Sequence, residues 1–501
     1  MERVKIGWGK RELSIDAPVS IPGQMYLRVS EGVHDPLYTT ALCVDGGEGQ
    51  DAVIFCTCDI VVLRGDVIPG TKAKVAAMRP EIPVENIIMG ATHTHAGACV
   101  QPTPEKSPDG QEIYSGEKYN DFFCQMCAEA ICEAWDNRTE GGMAYGYGYA
   151  VVAHSRRVCY DVDMSVLNPS AVAPNGHAIM YGNTKDPHFS HYEAGADHFL
   201  NAMYTFDKDN KLTGIVVNVP CPSQLSEHFT KLSADFWNEV RQMVAKEYGE
   251  NVFVLPQCAA AGDLSPRILH YKRAQARRMG LKYDLPYDPK QVKANNDQEH
   301  NKVMGERYDI AERIMDSVRE IYSWASKDIQ TQLTVCHETA DYDLARRLIS
   351  DEEKEQCQSA IDSMVEPDPA TCTPEEYRVA ASQYKILKGR NQRAIDRYMD
   401  QNENPTLKTG VHVARIGEIG FATSRFEVYQ DFMHRIQARS PFLQTFIIQL
   451  AGDEGGNYLP TQRGKEGKGY SASMFCNMVG PEGGQEWVEN VLTTLNEMAQ
   501  K

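Results

Sequence analysis

The sequence predicts a mixed α/β protein with a layered β-sheet core flanked by helices. Three observations carry this reading. Short β-type runs alternate with helical stretches through most of the 501 residues. Two pairs of apolar runs joined by short polar turns read as hairpins, which a purely doubly wound sheet would not have. No repeat, low-complexity tract or long linker divides the chain, so one domain is expected over 1–501.

In chain order, AVIFCTCDIVVL (52–63) and ENIIMGA (85–91) read as buried strands, and KYNDFFCQMCAEAICEAW (118–135) as an amphipathic helix. HFLNAMYTFDKDNKLTGIVVNVP (198–220) predicts a hairpin turning at Asp207 to Lys211. A helix over 233–248 follows, with Ser233 as its N-cap, and then the strand NVFVLPQCAAA. Charged helices are expected over 299–325 and roughly 342–400, the latter an insertion within the domain in which TPEEYRVAASQYKIL opens on a cap. VHVARIGEIGFATS (411–424) predicts a second hairpin turning at Gly417-Glu418. A helix, the strand TFIIQLA (445–451), a Gly-rich loop and a final helix from about Gln485 complete the pattern.

Composition narrows the function. Hydrophobic residues are 42% and charged residues 24%, as in soluble globular proteins. A net charge of -18 repels phosphate backbones and anionic lipid, so neither a nucleic acid nor a membrane is an expected partner. The N-terminal residues lack an apolar core of signal-peptide length, and no run approaches the roughly 20 apolar residues of a membrane span. A cytoplasmic protein with a small-molecule substrate is expected; homo-oligomer formation is compatible with the sequence. The 14 cysteines are irregularly spaced in apolar runs, which reads as reduced core thiols, Cys56 and Cys58 included. Cys124 and Cys127 form a C-x-x-C with no second pair at zinc-ribbon distance.

The chemistry-bearing residues sit in loops after these strands. GATHTHAGACV places His93 and His95 where the backbone leaves a strand, either as polar strand-end residues or as half of a metal site. NVPCPSQ brings Cys221, and AAGDLSP brings Asp263 and Ser265. SRFEVYQ brings Glu427, and GNYLPTQRGKEGKGYS brings Tyr458 and Tyr470.

In this order HTHAG, GDLSP and the tyrosine pair resemble the catalytic domain of the neutral/alkaline non-lysosomal ceramidases, zinc-dependent amidases. That family shows HTHSG, then HPTS, GDVSP, a PGE segment and a tyrosine-containing loop, and the resemblance spans nearly the whole chain. It implies β-sheets covered by helices, with one Zn2+ per chain at the strand ends. His93, Cys221, Glu427 and Tyr458 match the metal ligands, with Cys221 standing where the family has histidine. His228, His191 and Asp197 are the alternatives to Cys221, and another divalent metal is open. His95 matches the neighbouring histidine placed to carry a proton to the leaving amine. Tyr470 and Arg156 match the groups that steady an oxyanion, and Ser265 the active-site serine, as nucleophile or substrate contact.

Departures from the family pattern bear on the substrate. Arg267 follows GDLSP, Arg425-Phe426 replaces PG, and Arg156 and Arg157 are adjacent. With Asp263, Arg267 and Arg425 are the candidate substrate contacts, and guanidinium groups suit a carboxylate, phosphate or polyhydroxylated ligand. Together with the expected absence of a C-terminal immunoglobulin-like domain, these changes favour a soluble polar amide over ceramide. The other open readings are a metal-dependent lyase or isomerase on a sugar-like acid, and a non-catalytic binding protein with a degenerate site.

Overall fold

The computed structural model describes residues 2–170, 172–285 and 296–501. Eight strands form a large sheet: Lys5–Glu12 (β1), Tyr38–Asp45 (β2), Ala52–Cys58 (β3), Ile87–Ala91 (β4), Thr139–Tyr149 (β5), Phe199–Asp207 (β6), Leu212–Val219 (β7) and Phe253–Cys258 (β8). Their order is β8-β7-β6-β5-β1-β2-β3-β4, antiparallel except for the parallel outer pairs β3/β4 and β7/β8. A second sheet holds Val335–Ala345 (β9), Thr406–Ile416 (β10), Ile419–Ser424 (β11) and Gln444–Gln449 (β12), in that order, with β11/β12 parallel.

The two sheets pack face to face. Trp8, Val44, Phe55, Met203 and Leu255 of the large sheet share one buried cluster with Ile416, Phe421 and Phe446 of the small one. Helices cover the outer faces, giving four layers. Val67–Met78 (α1) and Gly116–Asp136 (α2) lie over β1 to β4, while Phe236–Tyr248 (α3) and Asn296–Ala325 (α4) lie over β5 to β8. Asp351–Ser363 (α5) packs on Pro374–Asp400 (α6). Gln430–Arg439 (α7) and Pro481–Ala499 (α8) cover the small sheet. Among the described residues no helix is long and apolar enough to cross a membrane.

Both predicted hairpins are present. The first turns where the Asp207 carboxylate accepts from the backbone N–H groups of Asp209 and Lys211, at 2.9 Å each. The second turns at Gly417, whose φ of 62° favours glycine. Thr373 opens α6 through a capping box with Glu376.

Two expectations need correction, and one long strand was not expected. Ser233 does not cap α3: Asp235 does, accepting from Phe236 N–H, while the Ser233 hydroxyl donates to Asp35 at 2.6 Å. The stretch 342–400 is not wholly helical, because its first residues belong to β9, which pairs with β10 along its full length. Strand β5 was not foreseen, because its sequence TEGGMAYGYGY is glycine-rich. A Cβ at Gly146 would meet the Trp324 ring at 2.2 Å, so glycine there lets α4 approach the sheet.

Candidate functional site

The carboxyl ends of the parallel strand pairs meet at one place. His95 N–H bonds to Ser223 O, Ala91 N–H to Leu450 O and Gly262 N–H to Val428 O, at 2.8 to 3.2 Å. Gly262 permits the last approach, since a Cβ there would lie 2.4 Å from the Glu427 carbonyl oxygen. Glu427 and Tyr458 are then set side by side by a short parallel ladder, Glu427–Val428 with Tyr458–Leu459. A cavity of about 200 Å³ opens against His93, His95, Glu427, Tyr458 and Tyr470.

His93 is buried with a φ of 63°, a strained conformation for a residue with a side chain. Its Nδ1 lies 2.7 Å from the Val61 carbonyl oxygen, which only accepts, so Nδ1 carries a proton. Its Nε2 faces Glu427 Oε2 at 3.3 Å and His95 Nε2 at 3.4 Å. The tautomer of His95 follows from its neighbours. Gln224 Oε1 accepts from Arg156 Nη1 at 3.3 Å and from the Tyr181 hydroxyl at 2.9 Å, so the Gln224 amide nitrogen donates to His95 Nε2 at 2.9 Å. His95 Nδ1 then bears the proton, facing Glu227 at 3.7 Å. A Cβ at Gly23 would strike this ring at 2.7 Å, so glycine is required there.

Electrostatics sharpen the picture. Burial pushes the Glu427 carboxyl up, but His93, Arg156 and Tyr458 together outweigh it and hold the carboxyl below its ordinary range. Burial, with His93 and nearby arginines, pushes His95 well below the usual imidazole range, which keeps it neutral. Burial, reinforced by Glu427, drives the Tyr458 phenol well up, and burial raises Tyr470 likewise, so both are hydroxyl donors.

His93 Nε2 and Glu427 Oε2, with the Tyr458 hydroxyl on Glu427, are the atoms at this cavity that could hold a divalent metal. Two electron-rich atoms approach each other, and they need either a proton on Nε2 or a cation between them. Nδ1 is already anchored to a backbone carbonyl, the outer contact that orients metal-binding imidazoles. Three protein ligands suffice for a catalytic site that keeps one position open.

The other candidates are placed as follows. Cys221 is fully buried, with its thiol on the Val152 carbonyl at 3.4 Å and beside Cys258; it does not line the cavity. Cys221→Ala is thus expected to leave metal stoichiometry unchanged and to cost about 1 kcal/mol of packing, checked by elemental analysis and urea unfolding. None of the alternatives lines the cavity either: His228 and His191 are exposed, and Asp197 pairs with His434 at 2.9 Å. Ser265 is buried in a short ladder with His154, its Oγ accepting from Arg267 N–H at 3.2 Å, away from the cavity wall.

Asp263 accepts from Gln430 N–H at 3.1 Å at the start of α7, and burial raises its carboxyl to about 6. It supports the helix rather than a ligand. Arg267 pairs with Glu227, and Arg425 with Asp453 at 3.1 Å, so both charges are already met within the protein. Arg156 is fully buried, donating to Glu427 Oε2 at 3.3 Å and Gly262 O at 2.8 Å, so it positions the carboxylate. Sequence reasoning missed Gln224, although CPSQ was in view, and it missed Arg28, whose Nη2 donates to the His95 carbonyl at 2.6 Å.

A second group could also hold a metal ion. The buried thiols of Cys56, Cys58 and Cys127 lie within 4.8 Å of one another. The strand alternation placed two of them on one face, and α2 supplies the third.

The architecture has known counterparts. The crystal structure of neutral ceramidase from Pseudomonas aeruginosa superposes with a TM-score of 0.64 at 14% identity, over 100% of this chain and 75% of that one. This chain has the neutral-ceramidase fold. A ceramidase complexed with C2 gives a TM-score of 0.62 at 14% identity, over 100% of this chain and 76% of that one. No family model and no curated relative matches the sequence. The neutral-ceramidase fold accounts for the two packed sheets and their helical covers as the sequence resemblance implied.

Proposed function

We propose that this chain is a metal-dependent hydrolase of amide C–N bonds acting on a small, polar, soluble substrate. The observation that carries the reading is the convergence of His93 Nε2, Glu427 Oε2 and Tyr458 on one cavity wall. A zinc ion bound there would supply Lewis acidity and an acidified water. The remaining roles belong to the chain. Tyr470, a phenol at the cavity with its ring 6.0 Å from that of Tyr458, is placed to donate to the developing oxyanion. His95, held neutral and oriented by Gln224, is the group able to accept a proton and pass it to the leaving amine. The cavity of about 200 Å³ is smaller than the roughly 300–1,000 Å³ of drug-sized sites, which favours a small amide over a long-chain lipid.

A second reading rests on Arg156. Its guanidinium reaches the same Glu427 oxygen that faces His93, so the carboxylate has a counter-charge without any metal. That arrangement suits a non-catalytic binding site.

Metal content by mass spectrometry decides between them. About one zinc per chain in protein purified without added metal, and amine release from small acyl amides that a chelator abolishes, is the expected result. No metal after reconstitution at neutral pH would sink the hydrolase reading in favour of binding.

A further inference from the structure

Arg267 and Arg425, read from the sequence as substrate contacts, and Arg156, read as steadying an oxyanion, are each paired with a carboxylate. Three others are not. Arg64 lies on the cavity wall, its guanidinium flat against Gly456, where a Cβ would meet Nη2 at 2.4 Å. Its Nε donates to the Gly455 carbonyl at 3.2 Å, which fixes the fork and leaves the terminal nitrogens available. Arg390 of α6 is buried, stacked 5.3 Å from Tyr470 and 4.9 Å from Phe475, with Nη2 3.3 Å from the Cys476 sulfur. Tyr470 and Cys476 both line the cavity. Arg393 stands one turn further along α6, exposed, and burial together with the charges of Arg390 and Arg64 lowers its proton affinity.

No described carboxylate lies within 4 Å of any of the three. Asp396 also feels Arg393, but its carboxylate accepts from Gln392 at 2.9 Å, and Glu454 accepts from Gly65 N–H at 3.3 Å. In a chain of net charge -18, Arg64 lines the cavity, Arg390 lies against its Tyr470 and Cys476, and Arg393 follows one helical turn along; gathering three guanidinium groups there without a carboxylate partner is a cost that a bound anion removes.

We propose that Arg64, Arg390 and Arg393 form an oxyanion-binding subsite beside the His93–Glu427–Tyr458 wall, so that the ligand of this cavity carries a carboxylate, sulfate or phosphate group. What that group is attached to rests on the hydrolase reading, under which the substrate is an anionic amide. Planar forks match such oxyanions in bidentate fashion. Arg390, its donors partly engaged by the Val172 carbonyl at 3.0 Å, supplies charge and fixes the spacing, while Arg64 and Arg393 supply free donors.

The test is calorimetric binding to the full chain, using N-acetylated amino acids, their neutral carboxamide counterparts, inorganic phosphate and sulfate. The N-acetylated acids are expected to bind at least tenfold tighter than the carboxamides, with a preference that shrinks as salt rises. Arg393→Ala and Arg64→Ala should each cut that preference at least fivefold, and Arg393→Lys should restore part of it. Arg393 is exposed, so its variants are expected to fold, and a melting curve checks this. Tighter binding of phosphate or sulfate than of the N-acetylated acids, lost in the same variants, would support the subsite and name the anion. Equal binding of acids and carboxamides with no response to phosphate or sulfate, or a preference untouched in both alanine variants, overturns the proposal. Binding is read on chelator-treated protein, in which the proposed hydrolysis cannot run, and amine release is read separately on untreated protein, so the two readings fail separately. Anions bound without amine release sink only the hydrolase, and neutral amides cleaved as readily as anionic ones sink only the subsite.

Discussion

Glu427→Gln is expected to lower amide turnover on the order of a thousandfold and to reduce bound metal to a small fraction of one per chain. Glutamine keeps the shape of the side chain but removes the charge that faces His93 Nε2 at 3.3 Å and Arg156 Nη2 at 3.3 Å. It also leaves the fully buried Arg156 without its counter-charge, so a fall in melting temperature is expected alongside. Tyr458→Phe separates the two effects, since it deletes only the hydroxyl on Glu427 and leaves the Arg156 pair intact. It should lower metal occupancy and rate with little change in melting temperature. Metal content and amine release measured on both variants check this, and wild-type values for both would refute the assigned ligand set.

The second large effect lies away from the cavity. Arg307 is fully buried and donates to Asp35 at 2.9 Å, Glu239 at 2.7 Å and the Ser233 hydroxyl at 3.0 Å. Arg307→Ala strands two buried carboxylates and is expected to cost about 3–5 kcal/mol of stability, read as a shift of the urea midpoint. The pH dependence has a definite sign. Burial already pushes the Glu239 carboxyl up against the opposing pull of Arg307, so without the arginine it rises further. The folded variant then binds a proton that the unfolded chain releases, and its deficit should be largest at neutral pH and shrink as pH falls into the acid range. The same network steadies the site loops. Ser226 N–H bonds to Asp235 at 2.6 Å and the Thr94 hydroxyl to Ser233 O at 2.7 Å, which ties the turn between His93 and His95 to α3.

What the sequence revealed divides along a physical line. His93, Glu427 and Tyr458 could be picked out of the sequence because His93 closely follows a strand and the other two open short strands that pair with each other; this pairing, and the sheets beneath it, set the three against one cavity. The hairpins were legible because their turns are local. Cys221 misled, because matching it to a ligand assumed that its backbone points its side chain as histidine would be pointed. Here the thiol turns into the core, and Gln224, three residues on, reaches the site instead. Strand β9 was obscured because it is an edge strand whose Glu338, Asp341 and Asp343 leave it without an apolar run. The partners of Arg267 and Arg425 are set by long-range packing, which one sequence does not encode locally.

The meeting of His93 with Glu427 and Tyr458 also sets an order of events during synthesis. Several hundred residues separate the first group from the other two, which at about 5–20 residues per second amounts to tens of seconds on the ribosome. Through that interval the large sheet can pair from β1 to β8, yet the imidazole faces no carboxylate, and its left-handed backbone has no small sheet against it. At this cavity the nascent chain therefore has no preformed cation trap to load early with whichever metal is abundant. Under the proposed metal-dependent reading, loading would wait until both sheets have closed, and selection among metals would fall to the finished cavity.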